Sequence, residues 1–476
     1  MLVRQLTDPS LAQFSYLVGC PRTGEAIVID PERDIDRYID EAARHHLRLV
    51  AAVDTHIHAD YLSGLKALAE RGVTVYASAE GGADWQYEWL RGSTLPHRLL
   101  RHGDRFTVGN IEFEAVHTPG HTPEHLSYLV RDGGVGASDP IAMASGDFVF
   151  VGDVGRPDLL ERAAGLAGVM APSARDQYAS IGRAFRTLPE YVQVWPAHGA
   201  GSACGKSLGD VPVSTVGYEL RHNPSILAAT GEQAFVDFIL AGQPEPPRYF
   251  ARMKYQNRSG PPALQDLPRP AMVAVDEVAA FVGRLDVAVL DTRGRSVFAA
   301  GHLPGALLVE WDYQFCAIAG SYVEPEMPIV LVVDADRAEA AVRGLIRIGL
   351  DRIVGIITTD VLATYAQRGG VLETLEGIDC VEMEARRLAG QGLVVDVRST
   401  DEHAAGHVPA AIHIPHTRLV DRLGELPAGV ALIVHCRSGA RAAAAAALLR
   451  RAGRQVTAVQ DAIDRYPGTL VTDSGR

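Results

Sequence analysis

Thr55-His56-Ile57-His58-Ala59-Asp60-Tyr61-Leu62-Ser63-Gly64 is the stretch that decides the fold of the N-terminal half of this chain. It follows the apolar run Leu49–Val53, which is typical of a buried strand. Alternation at the end of such a strand directs several metal-capable side chains into one pocket. A single histidine is more often an ordinary core or surface residue than a ligand. His56, His58 and Asp60 together, with more histidines and aspartates downstream, predict one wall of a metal site.

The composition is typical of a globular protein in a reducing compartment. A chain of 476 residues is long enough for about two to four domains. Its net charge of −13 argues against nucleic acid and anionic membrane surfaces as partners. The five cysteines are an odd number without paired spacing, which favours the cytosol over a disulfide framework. With no apolar run of roughly 18 residues, we expect a cytoplasmic protein without a membrane segment.

Residues 1–245 alternate short strand-like runs with helical patches, which predicts an α/β layered domain. Several predicted strands end at a residue capable of metal binding, the position at which α/β folds place their sites. One of them, Phe148–Val151, ends just before Asp153. The other predicted strands are Ala26–Ile29, Val50–Val53, Val73–Tyr76, Ile111–Val116, Leu126–Val130 and Val192–Trp195.

The remainder of the chain contains a linker and an internal repeat. Residues 246–270 are rich in Pro and Arg, which predicts an extended connection. Beyond it, Ala288-Val-Leu-Asp-Thr-Arg293 matches Leu393-Val-Val-Asp-Val-Arg398, and Ala300–Ala306 matches Ala405–Ala411 at the same offset of 105 residues. We therefore predict two copies of a small α/β domain with a parallel sheet, at residues 271–376 and 377–476.

Three further blocks carry metal-capable residues at loop positions: His117-Thr-Pro-Gly-His121, Gly152-Asp153-Val-Gly-Arg156 and Pro196-Ala-His198. With the opening stretch, their order resembles that of the metallo-β-lactamase fold superfamily over residues 10 to 245. The resemblance implies an αββα sandwich and a bound metal in the first domain.

Tyr61 bears on the number of metals. In dinuclear hydrolases of the superfamily a histidine at this position helps to bind a second metal, and a phenol is a poor substitute near neutral pH. His56, His121 and Asp153 would remain as a triad of two histidines and one carboxylate, which suits Fe(II) with open positions. The alternative is that Tyr61 is a packing change in an enzyme that still binds two Zn ions.

Within the superfamily the sequence is most similar to persulfide dioxygenases, which use one Fe(II) per chain to oxidise a thiol persulfide with O₂. The resemblance implies His56, His121 and Asp153 as ligands. It implies that five further residues orient the ligands or serve as alternative ligands: His58, Asp60, His198, Tyr61 and Arg156. Arg156 would pair with Asp153 or with the substrate. Because the Gly152–Arg156 block is also shared with hydrolases, a dinuclear Zn thioester hydrolase similar to glyoxalase II remains the alternative.

The second repeat contains a cysteine at the start of a loop between a strand, Ala431–His435, and an alanine-rich helix. Backbone N–H groups at the helix N-terminus, with Arg437 and Arg441, are expected to lower the pKa of the Cys436 thiol and to stabilise an anionic sulfur. The loop is one residue shorter than the related cradle of phosphatases, and the domain resembles rhodanese. That resemblance implies sulfur transfer through a persulfide on Cys436.

The first repeat has Asp334 at the position of Cys436, so we predict that it has no sulfurtransferase activity. The domain order resembles persulfide dioxygenase–rhodanese fusion proteins, in which a loop cysteine near the iron suggests Cys204 as a second catalytic thiol. The implied partners are a small thiol persulfide, O₂ and sulfite or thiosulfate, in a homo-oligomer (dimer or tetramer). A further alternative is a sulfur-relay protein whose first domain mainly binds a partner.

Overall fold

The structure is a computed structural model that describes residues 1–162, 168–264 and 266–472. Residue 265 of the predicted linker and residues 473–476 of the last predicted domain lie outside the described residues. The chain forms two compact units: Met1–Leu267 with Arg347–Gly349, and Pro268–Ile346 with Leu350–Arg476. Among the described helices, none combines the length and the apolar character that crossing a bilayer requires.

Two six-stranded sheets form the centre of the first unit, in the orders β1-β2-β3-β4-β5-β6 and β12-β11-β10-β9-β8-β7. Parallel pairing runs from β3 to β6 in the first sheet and joins β10 to β11 in the second. The strands are β1 (Leu2–Asp8), β2 (Gln13–Cys20), β3 (Glu25–Ile29), β4 (Arg48–Val53), β5 (Thr74–Ser78), β6 (His97–Leu100), β7 (Arg105–Val108), β8 (Ile111–His117), β9 (Leu126–Asp132), β10 (Ala142–Gly146), β11 (Gln193–Pro196) and β12 (Ser214–Thr215).

The sheets pack face to face, and helices cover their outer faces. Apolar side chains of both sheets, such as Ile27, Val53, Phe113 and Tyr128, share one buried cluster between them. Separate buried clusters lie beneath the helices. The helices are α1 (Asp36–Arg44), α2 (Leu65–Glu70), α3 (Leu159–Arg162), α4 (Met170–Ser180), α5 (Val216–His222), α6 (Pro224–Ala228), α7 (Glu232–Leu240) and α8 (Phe250–Ser259). The predicted αββα layering is confirmed.

One predicted strand lies elsewhere. The sequence analysis placed a strand at Phe148–Val151, whereas the structure has β10 at Ala142–Gly146. Four small residues and one methionine (Ala, Met, Ala, Ser, Gly) give β10 a weak strand pattern, yet all five are buried between neighbouring strands. Burial in the sheet therefore outweighed local propensity, and the strand ends at Gly146, five residues before the predicted end at Val151.

The stretch predicted as a linker contains helix α8. Its buried residues Phe250, Met253 and Asn257 recur at three- and four-residue spacing, as on the inner face of an amphipathic helix. Prolines flank the helix on both sides and gave the whole stretch its extended appearance in sequence. Helix α8 belongs to the first unit.

The second unit contains two five-stranded parallel sheets of matching order, β13-β17-β16-β14-β15 and β18-β22-β21-β19-β20. Parallel α/β architecture was predicted for this part of the chain and is confirmed. The strands are β13 (Ala271–Met272), β14 (Ala288–Asp291), β15 (Leu307–Leu308), β16 (Ile329–Val333), β17 (Ile353–Thr358), β18 (Gly377–Ile378), β19 (Leu393–Asp396), β20 (Ile412–His413), β21 (Leu432–His435) and β22 (Val456–Val459). The helices are α9 (Arg295–Ala300), α10 (Phe315–Tyr322), α11 (Ala338–Arg347), α12 (Thr359–Gln367), α13 (Cys380–Leu388), α14 (Thr400–Ala404), α15 (Leu419–Arg422) and α16 (Ala440–Arg451).

Candidate metal centre and candidate thiol site

The loops after β4, β8 and β10 bring two histidines and a carboxylate together in the first unit. His56, His121 and Asp147 are buried, and one potential ligand atom from each lies within 4.8 Å of the other two. Nε2 of His121 is 3.3 Å from Oδ2 of Asp147. The rings of His56 and His121 meet edge to face, with centroids 4.9 Å apart. Two imidazoles and one carboxylate can hold a divalent cation and leave further coordination positions open.

Asp147 provides the evidence that these residues fit a cation. Neither of its carboxylate oxygens has a hydrogen-bond partner among the described residues, although the side chain is fully buried. Burial, reinforced by the charge of Asp60, raises the pKa of Asp147 well above its usual range. A buried carboxylate without compensation costs free energy, and a bound cation would offset that cost.

Hydrogen bonds orient the two imidazoles of this group. Nδ1 of His121 donates to the backbone oxygen of Arg156 at 3.0 Å, so that Nε2 is left for the cation. Nδ1 of His56 lies 3.0 Å from Oγ1 of Thr55. Burial lowers the pKa of His121 to about 3 and holds the pKa of His56 well below its usual value. Both rings are therefore neutral near pH 7, the form in which histidine binds a metal.

A second group lies beside the first and consists of Asp60, His198 and Cys204, all buried. Nε2 of His198 is 3.3 Å from Oδ2 of Asp60 and 3.5 Å from Oδ1 of Asp147, so that Asp147 lies between the two groups. Burial lowers the pKa of His198 to about 3 and raises that of Asp60 to about 6. Burial and the charge of Asp147 raise the pKa of Cys204 well above its usual value, so without a cation Cys204 is a neutral thiol.

A third group surrounds Tyr61 and contains Asp30, Asp54 and His58. Oη of Tyr61 lies 3.0 Å from Nε2 of His58, donates to the backbone oxygen of Asp30 and accepts from Gln13. Nε2 of His58 is also 3.1 Å from Oδ1 of Asp30. Burial opposes protonation of His58, but the Asp30 carboxylate raises the pKa of His58 to about 9. The phenol of Tyr61 is thus held by this network and does not belong to the second group.

The structure does not bring Asp153, the carboxylate selected from the sequence, into any of these three groups. Its oxygens instead accept hydrogen bonds from the backbone N–H groups of Lys206 and Ser207, at 2.9 and 3.0 Å. They also accept a hydrogen bond of 2.6 Å from the hydroxyl of Ser225. Asp153 therefore fastens the loop that follows Cys204 to helix α6.

Arg156 lies nearby but pairs with Asp158 rather than with Asp153. Its guanidinium donates two hydrogen bonds to the Asp158 carboxylate, at 2.8 and 2.6 Å. It donates two more to the backbone oxygens of Ala203 and Pro244, at 3.0 and 2.7 Å. Because this side chain is fully buried, its role is to hold together the chain segments around the second group.

Asp147 and His125 belong to the candidate site but were not predicted from the sequence. The backbone N–H of Asp147 donates to Nε2 of His125 at 3.1 Å, which fixes the turn after β10. Gly146 in this turn has φ of +54°, and a Cβ there would lie 2.5 Å from Oγ1 of Thr55. The Gly-Asp pair that directly follows the buried strand was the available signal for Asp147.

Helix α8 supports the loop that carries the opening stretch. The amide nitrogen of Asn257 donates to the backbone oxygens of His58 and Tyr61, at 2.8 and 2.7 Å. The amide oxygen of Asn257 accepts from the backbone N–H of Ser63 at 2.8 Å. One buried side chain thus satisfies two backbone oxygens and one backbone N–H of the loop around Asp60.

In the second unit, Cys436 follows strand β21 and begins the loop that leads to helix α16. Its Sγ accepts hydrogen bonds from the backbone N–H groups of Gly439 and Ala442, at 3.1 and 3.4 Å. Gly439 has φ of +89°, a left-handed conformation that lets the loop curl around the sulfur. The buried thiol thus lies in a cradle of N–H groups at a helix N-terminus, which suits an anionic sulfur.

The two arginines of this loop differ in their surroundings. Arg441 donates two hydrogen bonds to the Glu402 carboxylate, at 2.7 and 2.8 Å. Its guanidinium is therefore already paired with a carboxylate. Its charge also acts on His416, whose pKa burial lowers to about 3. Arg437 is exposed, and its backbone oxygen accepts from Ile463. It is therefore the freer of the two to approach a substrate.

The equivalent position of the first repeat holds Asp334, directly after strand β16. Its carboxylate accepts a hydrogen bond of 2.7 Å from the hydroxyl of Thr359. Cys316 is buried on helix α10, where its Sγ donates to the backbone oxygen of Gly344. The strand-to-helix loop of this repeat therefore presents a carboxylate where the second repeat presents a thiol.

The comparisons with known proteins divide the chain into the same two kinds of domain. A metallo-beta-lactamase superfamily model matches residues 9–198, and a rhodanese-like domain model matches residues 381–466. The chain is similar to the crystal structure of a metallo-beta-lactamase from Staphylococcus aureus subsp. aureus COL, with 36% identity and a TM-score of 0.66. That likeness covers 75% of this chain and 99% of the other.

Two kinds of enzyme stand among the relatives of the first unit. The mitochondrial persulfide dioxygenase ETHE1 of Bos taurus is 27% identical over 237 residues, which are 49% of this chain and 78% of the relative. The cytoplasmic hydroxyacylglutathione hydrolase of Arabidopsis thaliana is 30% identical over 188 residues, 39% of this chain and 63% of the relative. The chain thus belongs to the metallo-β-lactamase superfamily, with persulfide dioxygenases among its homologues, and joins that domain to a C-terminal rhodanese-like domain.

Proposed function

We propose that the first unit is an Fe(II) persulfide dioxygenase that oxidises a small thiol persulfide, and that the second repeat of the second unit is a sulfurtransferase. The net reaction of the first activity is RSSH + O₂ + H₂O → RSH + SO₃²⁻ + 2 H⁺. The observation that carries the proposal is the buried group of His56, His121 and Asp147, in which both carboxylate oxygens have no partner among the described residues. Relatives that are persulfide dioxygenases support the choice of reaction.

The triad would hold the metal. His56, His121 and Asp147 would hold Fe(II), which would supply the redox chemistry for joining the persulfide sulfur to O₂. The protein contributes neutral imidazoles, because burial keeps the pKa of His121 near 3. The Arg156 backbone oxygen fixes the orientation of the His121 ring, and the sandwich shields all three ligands from bulk water.

The cradle around Cys436 supports the second activity. Its thiolate would attack the outer sulfur of thiosulfate, forming a Cys436 persulfide and releasing sulfite: Cys–S⁻ + S–SO₃²⁻ → Cys–S–S⁻ + SO₃²⁻. The reverse reaction would consume the sulfite that the first unit makes. In both directions the N–H groups of Gly439 and Ala442 stabilise the sulfur anion.

A dinuclear Zn thioester hydrolase is the second candidate for the first unit. The observation that favours it is the adjacent group of Asp60, His198 and Cys204, connected to the triad through Asp147. Hydroxyacylglutathione hydrolases among the relatives point in the same direction. Tyr61 argues against it, because its hydroxyl is held by His58 and the Asp30 backbone.

Metal analysis together with oxygen uptake separates these candidates. The protein is purified without oxygen, its metals are quantified, and O₂ consumption is followed with several defined persulfides. About one iron per chain with persulfide-dependent O₂ uptake supports the dioxygenase. Two zinc ions per chain, thioester hydrolysis and no O₂ uptake would contradict it.

Two variants test whether the activities are separate. We expect His121→Ala to abolish O₂ uptake while sulfur transfer at Cys436 continues, and Cys436→Ser to do the reverse. If His121→Ala retains every activity and Cys436→Ser loses all of them, the chain is a sulfur-relay protein and its first unit is not an oxygenase.

A further inference from the structure

The first repeat of the second unit lacks a thiol, yet it contributes to the surroundings of Cys436. The two repeats belong to one compact unit. Helix α10 of the first repeat packs against the short helical turn His416–Arg418 of the second. The last residue of α10 is Tyr322. The first repeat therefore places a tyrosine at the edge of the candidate thiol site.

The hydroxyl of Tyr322 is in an unusual state for a buried group. The side chain is 6% exposed, and Oη has no hydrogen-bond partner within the described ranges. Buried tyrosine hydroxyls usually find a partner, because leaving one unpaired costs free energy. Burial, together with the negative charge of the Cys436 thiolate, raises the pKa of Tyr322. Tyr322 is thus a neutral O–H donor.

A second polar atom near the loop is also without a partner. Nδ1 of His416, in the turn against which α10 packs, is shielded from solvent and has no hydrogen bond to any described residue. The turn that carries His416 also packs against helix α16, which begins directly after the Cys436 loop. Gly439 and Ala442 already donate to Sγ itself. The remaining donors are therefore available to atoms that lie beyond the sulfur.

We propose that Tyr322, supplied by the repeat without a thiol, donates a hydrogen bond to the sulfonate oxygens of thiosulfate at Cys436. This inference rests on the proposed sulfurtransferase function and adds a specificity residue to it. Thiosulfate carries part of its charge on sulfonate oxygens that lie one S–S bond beyond the attacked sulfur, where O–H donors bind well. The hydroxyl transfers no proton: it binds the sulfonate of the incoming thiosulfate, and this hydrogen bond persists while the S–S bond breaks and sulfite leaves.

The test compares two sulfur donors in the full-length protein. Thiosulfate has a sulfonate, whereas glutathione persulfide delivers the same sulfane sulfur without one. We expect Tyr322→Phe to lower kcat/KM with thiosulfate about tenfold or more, mainly through KM, because a hydrogen bond to a charged group is lost. With glutathione persulfide the change should be less than about twofold. Tyr313→Phe is the matched control: Tyr313 is 54% exposed, and its replacement should affect neither donor.

The outcomes separate this inference from the function on which it rests. An equal loss with both donors, or no loss with either, would overturn the role of Tyr322. If unmodified Cys436 accepts sulfur from neither donor, the proposed sulfurtransferase itself is wrong. As a second measurement, thiosulfate binding to Cys436→Ser is determined by calorimetry with and without Tyr322→Phe. About tenfold weaker binding supports the inference, and unchanged binding contradicts it.

Discussion

Replacing Asp147 by Asn, with Asp153→Asn as its counterpart, tests whether the buried triad holds the metal. Both aspartates are completely buried, and they lie six residues apart in the chain. Asp147 has no hydrogen-bond partner for its oxygens within the part of the chain that the structure describes, whereas Asp153 accepts from three backbone N–H groups and a hydroxyl. The two substitutions should therefore differ in the property they change.

The magnitudes follow from these environments. Loss of the only carboxylate of the triad should weaken metal binding at least about a hundredfold, which at saturating metal removes about 2.7 kcal/mol of stabilisation. In the metal-free protein the raised pKa of Asp147 acts in the opposite direction. Stability of that form falls as pH rises above the unfolded value of about 4, because a buried carboxylate must ionise. Metal-free Asp147→Asn should therefore be at least as stable at pH 7 as the metal-free parent.

Asp153→Asn should have the reverse profile. It weakens hydrogen bonds to a charged acceptor, so we expect a loss of about 1–3 kcal/mol both with and without metal. Metal content is measured by elemental analysis, and unfolding of the first unit is followed by heat with and without a chelator. If Asp147→Asn keeps a full complement of metal while Asp153→Asn loses it, the structural assignment is refuted in favour of the assignment made from sequence.

Three further substitutions test supporting contacts. Arg156→Met leaves Arg162, at 3.2 Å, as the ion-pair partner of the buried Asp158 carboxylate and removes two hydrogen bonds to backbone oxygens. It should lower the unfolding free energy of the first unit by about 2–4 kcal/mol, measured in urea; a change below about 1 kcal/mol would contradict this. Asn257→Leu removes three hydrogen bonds and should cost about 2–4 kcal/mol while weakening metal retention; unchanged retention would contradict its role in the loop. Burial raises the pKa of Glu402, but the hydrogen bonds and charge of Arg441 outweigh burial and lower this pKa to about 2. The ionised carboxylate therefore stabilises the fold above about pH 4.5, and this stabilisation is lost as pH falls towards 2. Glu402→Gln should abolish that dependence in unfolding experiments between pH 6 and 3; an unaltered slope would contradict it.

The α/β class was predictable because it rests on patterns that span many residues. Alternating strands and helices, and the repeat at an offset of 105 residues, do not depend on any single contact. The observed sheets agree with this prediction, including parallel order throughout the second unit. Local patterns predicted less where an element consists mainly of small residues, as in β10. The position of this strand is determined by its packing in the sheet.

The candidate site shows the same limit at the level of single residues. His56 and His121 were selected from sequence, and the structure brings them together. The sequence does not single out Asp147, because the apolar run Phe148–Val151 resembles a strand that ends near Asp153, and a strand at that place moves the expected carboxylate by six residues. Two of the partners of Arg156 were also beyond prediction, since the carbonyl acceptors Ala203 and Pro244 are far along the chain, whereas Asp158 is two residues away.

Helix α8 has a practical consequence for anyone who expresses the N-terminal half of this protein alone. A truncation after residue 245, where the sequence suggests that the first domain ends, would delete Asn257 and leave two carbonyls and one amide of the metal-binding loop without their partner. Such a fragment would be expected to aggregate or to be isolated without metal, and its inactivity would be misread as evidence against an enzyme. A fragment that ends after Leu267 retains the whole first unit apart from Arg347–Gly349.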